Sequence, residues 1–157
     1  MDSILYDLNR HLTYRIARLQ SQLSAQASEI LNHHAEISLS EWRIMTILTN
    51  PAIEFQKDVL STMGLDKGQV SRTLKRLKDK DYIDISHDKR DQRKRIVTLT
   101  TSGRALVERM APLMLRRQAH LQSDFSQADL EKLFEFIEAL ERKTGPIKEL
   151  EAQINGT

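Results

Sequence analysis

Apolar residues recur at steps of three and four along most of this chain, and this helical spacing constrains its fold more than any other feature. Five Gly and three Pro are few for a sandwich or barrel, in which turns recur about every 8–12 residues. No apolar run approaches the roughly 18 residues of a membrane span. The first residues also lack the basic segment of a secretory signal. The sequence therefore predicts a mainly helical, cytoplasmic protein without membrane contact.

Long helices are predicted at both ends of the chain. The apolar positions of residues 4–31 predict one amphipathic helix about 40 Å long, which is more than a small domain needs to cover its own core. Near the other end, Thr100 or Thr101 caps a helix that runs to about Ser123, and a last helix starts at Ser126. An overlong first helix of this kind is typical of a chain that packs against a second subunit.

Three short helices are predicted between the long ones. Ser38 and Glu41 form a capping box at the start of the first, residues 55–63 form the second, and Asp66 caps the third. The apolar face of the third helix consists of Val70, Leu74 and Leu77. Its other face is basic and rich in amides. Two short helices joined by a Gly-containing turn, the second with a basic outer face, indicate a helix-turn-helix.

Two β-like runs, residues 82–85 and 95–99, follow this motif and enclose a charged stretch. This pattern predicts a two-stranded hairpin with a basic tip, which is a wing. Positive charge is concentrated in the same region, because residues 64–95 carry eleven Lys or Arg against six Asp or Glu, in a chain whose formal net charge is only +2. Such a distribution is typical of a nucleic-acid-binding surface.

The wing sequence resembles the signature of the MarR family of bacterial regulators. It reads Asp88-x-Arg90-Asp91-x-Arg93-x3-Val97-x-Leu99-Thr100-x2-Gly103. Residues 70–77 are similar to that family's recognition helix, and residues 39–44 are similar to the helix before its helix-turn-helix. The resemblance covers nearly the whole chain. Phe55 departs from it, because many relatives carry a small capping residue there, and the start of its helix stays open.

The resemblance implies a fold that is mainly α with a small two-stranded β wing. It divides the chain into an N-terminal dimerisation helix (1–36), a winged helix-turn-helix DNA-binding domain (37–100) and C-terminal dimerisation helices (101–157). A homodimer of this kind binds double-stranded DNA, and its two-fold symmetry predicts a pseudo-palindromic operator. Many members release DNA when a small, often aromatic, ligand binds, so we expect a repressor of this type. The alternative is an architectural DNA-binding protein without an effector.

Candidate DNA-binding residues lie on the recognition helix and the wing: Lys67, Gln69, Ser71, Arg72, Lys75, Arg76, Asp88, Arg90 and Arg93. Arg90 at the wing tip suits a narrow minor groove, and the resemblance implies that Asp88 orients it through a charge-assisted hydrogen bond. Gln69 can pair with adenine and Arg72 with guanine, although Arg72 equally suits a phosphate. Arg93 contacts a phosphate or braces the wing internally.

The rest of the recognition helix is expected to contact the DNA backbone or solvent. Lys75 and Arg76 suit phosphates better than base edges, because they lie further from the start of the helix. Lys78 and Lys80 are interpreted as ordinary solvated surface.

Tyr14, Trp42 and Met45 are candidates to line an effector pocket, although core packing is the favoured role for each. The chain has no cysteine and no His-x3-His pair on one helix face, so we expect neither a metal nor a cofactor. It also lacks a nucleophile elbow, a phosphate loop and a His-Glu-x2-His pattern, so we do not expect an enzyme.

Overall fold

The computed structural model describes residues 7–63 and 66–144, and these residues form a mainly helical structure with one antiparallel two-stranded sheet. In chain order, the elements are α1 (Leu12–Ala35), α2 (Leu39–Ile47), α3 (Gln56–Met63), α4 (Lys67–Asp79), β1 (Ile83–His87), β2 (Arg95–Leu99), α5 (Thr101–Gln122) and α6 (Gln127–Lys143). The predicted fold class is confirmed. The chain divides into two compact units, one up to Met114 and one from Leu115. Among the described residues, no helix has the length and apolar character to cross a membrane.

The first helix differs from the prediction over residues 4–31 at both ends. The first three residues of that prediction lie outside the described part of the chain. A separate 3-10 turn, Leu8–Arg10, precedes α1, because the Asp7 carboxylate accepts a hydrogen bond from the Asn9 N–H at 3.1 Å and holds the chain out of the helix. The helix then continues to Ala35. Apolar spacing did not reveal this local capping contact.

Helices α2 and α4 begin at the predicted caps. The Ser38 hydroxyl accepts a hydrogen bond from the Glu41 N–H at 3.2 Å, and the Glu41 carboxylate accepts one from the Ser38 N–H at 2.7 Å, which completes the capping box of α2. The Asp66 carboxylate accepts a hydrogen bond from the Gln69 N–H at 2.9 Å and caps α4. The predicted glycine turn between α3 and α4 falls on residues 64–65, outside the described residues.

The start of α3, which the sequence left open, is fixed by contacts of Phe55. Its N–H donates to the Asp58 carboxylate at 3.1 Å, and α3 begins at the next residue. Phe55 also forms an isolated antiparallel bridge with Ile96 of β2, and the Val97 N–H donates to the Glu54 carbonyl at 2.9 Å. The backbone at Phe55 therefore joins α3 directly to the wing.

One hydrophobic core holds the first unit together, and every element from α1 to the first half of α5 contributes to it. The predicted apolar face of α4 is confirmed, because Val70, Leu74 and Leu77 are all buried. The largest fully buried side chains are Leu31, Ile37, Ile44, Met45, Leu74, Leu77, Ile83, Val59, Val70 and Val97. Full burial of one such side chain stabilises a fold by about 1.5–3 kcal/mol. This core fixes α4 and the wing relative to α2 and α3.

The wing is joined to α5 through a tight backbone contact. The Thr100 hydroxyl accepts a hydrogen bond from the Gly103 N–H at 3.0 Å and donates one to the Asp81 carbonyl at 2.7 Å, so Thr100 is the cap of α5. A Cβ atom on Gly103 would lie 2.0 Å from the Tyr82 carbonyl oxygen. The glycine of the wing signature is therefore required for the first turn of α5 to approach the start of the hairpin.

In the second unit, α6 begins after Ser126, where the sequence predicts the start of the last helix, and Ser126 is its N-cap. The Ser126 hydroxyl accepts a hydrogen bond from the Asp129 N–H at 3.2 Å, and the Asp129 carboxylate accepts one from the Ser126 N–H at 3.0 Å. None of the residues of α6 is buried.

Candidate nucleic-acid interface

The predicted DNA-binding side chains of α4 all lie on its exposed surface, opposite the buried apolar face: Lys67, Gln69, Ser71, Arg72, Lys75 and Arg76. Ser71 also contacts α3, because its hydroxyl oxygen lies 3.5 Å from the Gln56 amide nitrogen. The helix therefore presents cations, an amide and a hydroxyl group together, which are the groups that bind phosphates and base edges.

The Arg72 guanidinium lies over the first turn of α4. A Cβ atom on Gly68 would stand 3.3 Å from Arg72 Nη1 and 3.0 Å from Asp66 Oδ1. A larger residue at position 68 would displace either the capping carboxylate or the guanidinium. Gly68 thus leaves room for Arg72 beside the N-terminus of the helix.

Asp88 organises the tip of the wing through the backbone. One of its carboxylate oxygens accepts hydrogen bonds from the Arg90 N–H at 2.6 Å and the Asp91 N–H at 3.1 Å. These two bonds lower the pKa of Asp88 below its usual value. The bond implied by the resemblance therefore runs to the backbone of Arg90 and not to its guanidinium. Asp88 shapes the turn, and the exposed Arg90 side chain projects from it.

Arg93 also contacts the wing through its backbone. Its N–H donates to the Asp91 carboxylate at 3.0 Å, and Lys94 Nζ lies 3.9 Å from the same carboxylate. The Arg93 side chain is exposed and borders a cavity beside α4. Of the two roles considered for Arg93, this position favours the phosphate contact over an internal brace.

A cavity of about 590 Å³ lies between α3, α4 and the wing, and five cationic side chains border it. They are Lys57, Lys67, Arg93, Lys94 and Arg95. The ring of Phe55 lines the same cavity, with Lys57 Nζ and Lys94 Nζ each 5.8 Å from its centroid, within the range of cation–π attraction. The sequence analysis did not identify Lys57 and Phe55 as neighbours of the candidate DNA-binding residues. The departure of Phe55 from the usual small cap was the available signal.

Arg76 of α4 and Lys80, the C-cap residue that follows this helix, both contact a buried carboxylate. Arg76 Nε lies 3.5 Å and Lys80 Nζ 3.3 Å from Glu41 Oε1. Burial would raise the pKa of Glu41, but its hydrogen bonds with Ser38 and the charge of Lys80 outweigh burial and lower it. The interpretation of Lys80 as plain solvated surface was wrong. The sequence identified Glu41 only as a helix cap, because its ion-pair partners are distant along the chain.

The profile model of the MarR family matches residues 37–94 of this chain. A solved structure of a MarR/EmrR family transcriptional regulator from Acinetobacter sp. ADP1 is 30% identical in sequence, with a TM-score of 0.81. That match covers 87% of this chain and 96% of the other. The chain belongs to the MarR family. This MarR-family protein is a DNA-binding transcriptional regulator and not an enzyme.

Two more distant solved structures share the fold of this MarR-family protein. The S. aureus MepR–DNA complex is 21% identical, with coverage of 85% of this chain and 98% of that one and a TM-score of 0.79. The PcaV regulator from Streptomyces coelicolor, in complex with its natural ligand, is 19% identical, with coverage of 88% and 97% and a TM-score of 0.76. Both likenesses support the winged-helix architecture.

The three candidate effector residues of this MarR-family protein occupy different environments. Met45 is fully buried in the core and Trp42 is 8% exposed, whereas Tyr14 on α1 is 38% exposed. A cavity of about 350 Å³ between α2 and α3 is bordered by Trp42, Arg43, Thr46, Ile47, Thr62 and Met63. Met45 packs in the core because it lies on the buried side of α2. The structure therefore does not bring the three residues together at one cavity.

In the part of the chain that the structure describes, no three His, Asp or Glu side chains are grouped to hold a metal ion.

Proposed function

We propose that this regulator is a homodimer that binds a pseudo-palindromic operator, with α4 in the major groove and the wing in the adjacent minor groove. The observation that carries this proposal is the concentration of exposed cations on α4, on the wing and around the cavity between them. A surface of this charge attracts the phosphates of duplex DNA, while the exposed helix supplies side chains that can discriminate bases.

On α4, base readout is assigned to the first two turns. Gln69 and Arg72 contact base edges, and Lys67 and Ser71 support them from the same turns. Lys75 contacts a phosphate. Arg76 is held by Glu41 at 3.5 Å and by the Thr73 hydroxyl at 3.2 Å, so its role shifts from a phosphate contact toward anchoring the helix.

On the wing, Arg90 enters the minor groove. The turn around Asp88 orients the backbone from which this side chain projects, and so presents a permanent positive charge at the tip. Arg93 contacts a phosphate next to the cavity. Lys57 of α3 contributes to the same phosphate-binding surface.

The homodimer is supported by uncovered apolar side chains. On α1, Leu12, Ile16 and Leu19 follow a helical spacing and all are exposed. On α6, Leu133, Phe134 and Ile137 do the same. Contiguous apolar surface of this kind marks an interaction site. We therefore assign residues 1–36 and 101–157 to dimerisation and residues 37–100 to DNA binding.

We further propose that the protein is a repressor released by a small, aromatic ligand. The PcaV structure, which shares this fold, was solved with its natural ligand. In this chain, Trp42 beside the cavity of about 350 Å³ and exposed Tyr14 remain the candidate effector residues. Because the proposed target is chromosomal DNA, the cytoplasm is the proposed location.

The test is selection of bound fragments from genomic DNA, followed by hydroxyl-radical footprinting. The proposal predicts a two-fold related pair of protected patches about one helical turn, or roughly 10 base pairs, apart. Minor-groove protection should disappear with Arg90→Ala. The proposed ligand response is tested by screening aromatic carboxylates for release of the DNA from the protein. Uniform protection of every fragment would contradict the operator and favour an architectural role.

A further inference from the structure

Glu41 is a buried carboxylate whose contacts go well beyond capping α2. It is 2% exposed. Its Oε2 atom accepts the Ser38 N–H at 2.7 Å. Its Oε1 atom has no hydrogen-bond partner among the described residues, yet it lies 3.3 Å from Lys80 Nζ and 3.5 Å from Arg76 Nε. Lys80 Nζ also donates to Oε2 at 3.4 Å. The carboxylate therefore binds the start of α2 through Oε2 and also faces Arg76 of α4 and Lys80, the C-cap residue of that helix.

Lys80 extends this cluster to the end of α1. Its ammonium group donates a hydrogen bond to the Glu36 carbonyl at 3.0 Å. Glu36 is the C-cap of α1 and has left-handed backbone, with φ of 52°. The Glu41 cluster, defined as Glu36, Glu41, Arg76 and Lys80, thus joins the end of α1, the start of α2 and the end of α4.

The two cations of the cluster lie four residues apart at the end of α4, Arg76 in the last turn and Lys80 at the C-cap. Arg76 follows Arg72 by four residues, so both lie on the same stripe of α4, and Lys80 lies four residues further at the C-cap. The apolar face of α4 packs through non-directional hydrophobic contact. A single carboxylate that holds a cation of the last turn and the C-cap cation restricts the rotation of α4 about its own axis. It therefore restricts the direction in which Arg72 and its neighbours point.

Stability alone is a weak reason for such a cluster. Taking a carboxylate out of water is costly, and replacing buried ion pairs by apolar residues is often neutral or stabilising. A geometric role accounts for the buried charge better than a stabilising one.

We propose that Glu41 is a positioning residue for operator recognition, which couples the α1–α2 connection to the rotational setting of the recognition helix. This inference rests on the proposed function, in which α4 reads the operator.

The test compares variants that separate the charge of Glu41 from its capping role. Glu41→Gln keeps an oxygen that can accept the Ser38 N–H but removes the charge that holds Arg76 and Lys80. Ser38→Ala is the matched control, because it removes the capping hydroxyl and leaves the carboxylate in place. Affinity is measured by fluorescence anisotropy for a selected operator duplex and for a random duplex of equal length. Thermal unfolding is recorded for each variant.

The direction in which Glu41→Gln changes operator affinity distinguishes a positioning role from a purely electrostatic effect on DNA binding. Removing a negative charge should by itself strengthen binding to any DNA, because fewer repulsive interactions oppose the phosphates. The proposal predicts the opposite for the operator, with Glu41→Gln binding it about tenfold more weakly, while random-duplex affinity stays constant or rises. Ser38→Ala should keep the ratio of operator to random affinity, even where it unfolds at a lower temperature.

A second pair of variants keeps the test decisive if Glu41→Gln does not fold. Lys80→Met removes one cation of the cluster, and Lys78→Met removes an exposed cation two residues away. The proposal predicts a lower operator-to-random ratio for Lys80→Met than for Lys78→Met. Equal ratios for these two variants would overturn it, as would a folded Glu41→Gln protein with the wild-type ratio. Wild-type protein that does not distinguish the two duplexes would instead overturn the proposed function together with this inference.

Discussion

Helices α4 and α6 are both amphipathic, yet only α4 covers its apolar side within the described structure. Val70, Leu74 and Leu77 of α4 are buried in the core of the first unit. In α6, which belongs to the second unit, no residue is buried, and Phe134 is 50% exposed. The same sequence pattern therefore leads to two different outcomes.

The two helices differ in where the contacts that hold them come from. The orientation of α4 is determined within one chain, by its buried apolar face and by the ion pairs of Glu41. Its outer surface can therefore be held in one orientation toward DNA. The apolar side of α6 lacks such cover, and a second copy of the chain supplies it in our account. Under this proposal, base readout depends on packing within a protomer, whereas operator spacing depends on packing between protomers.

The largest effect is expected from breaking the proposed interface on α6. Ile137→Glu introduces a charge into the uncovered apolar stripe and should convert the dimer to a monomer in sedimentation analysis. A monomer engages one half-site, so operator affinity should fall by about 10³-fold, toward the level of non-specific binding. Glu138→Gln, which alters only an exposed ion pair with Arg142, is the control and should remain dimeric. A dimeric Ile137→Glu protein would contradict the assignment of α6.

Truncating one apolar residue in each helix compares burial within one chain with burial between two chains. Leu74→Ala removes a fully buried side chain from the core, so it should lower the free energy of unfolding by about 2–5 kcal/mol. Leu133→Ala should act through dimerisation, so the loss in free energy of unfolding that it causes should depend on protein concentration. Urea unfolding at two protein concentrations measures both. A concentration-independent cost for Leu133→Ala would place that residue in an intramolecular contact.

Local capping and apolar spacing account for the parts of the fold that could be predicted. The capping box at Ser38, the cap at Asp66, the start of the last helix at Ser126 and the hairpin after α4 depend on residues close together in sequence, and each was confirmed. The start of α1 was missed because the Asp7 carboxylate stabilises a separate turn, and helical spacing is insensitive to a single side-chain hydrogen bond.

Long-range contacts explain what the sequence could not reveal about the site. Glu41 and Lys80 are 39 positions apart, so nothing in their local sequence indicates an ion pair. Phe55 pairs with Ile96 in the wing, which places Lys57 beside the predicted DNA-binding residues. The residues assigned to DNA contact remain predictions.

The wing should contribute less to operator affinity than dimerisation does. Arg90→Ala removes the guanidinium proposed for the minor groove and should weaken operator binding by about 1–3 kcal/mol, while the dimer persists. Lys89→Ala is the matched control, because it removes an adjacent exposed cation without affecting the proposed groove contact. Equal losses for the two variants in anisotropy titrations would mean that the wing provides only diffuse charge.

Lys57, beside the cavity next to α3, should affect the salt dependence of DNA binding more than its sequence specificity. Lys57→Met removes one proposed phosphate contact, so the slope of log affinity against log salt should decrease in magnitude by about 1 for operator and random DNA alike. Lys132→Met on α6 removes a similar lysine, whose Nζ lies 5.9 Å from the Phe136 ring, and should leave the slope unchanged. An unchanged slope for Lys57→Met would remove α3 from the interface.

The smallest effect is expected from acidification of the wing tip. The pKa of Asp88 is lowered from its usual 3.8 by hydrogen bonds from the Arg90 and Asp91 amides. The stabilisation of the turn by these two hydrogen bonds is therefore fully present above pH 3.8 and is lost as the pH falls through the lowered pKa of Asp88. Amide exchange at Arg90 and Asp91, corrected for intrinsic rates, should stay constant from neutral pH to about 4 and increase only below it. Asp88→Asn should show faster exchange at neutral pH.

The most direct test of the central claim is an anisotropy titration of the full chain at about 150 mM salt, where specific and non-specific binding differ clearly. Operator duplex obtained by genomic selection is compared with random duplex of the same length, and the stoichiometry is read from the saturation point. Our account predicts at least about 10³-fold tighter binding to the operator, with two chains per duplex. Equal affinity for both duplexes would contradict it.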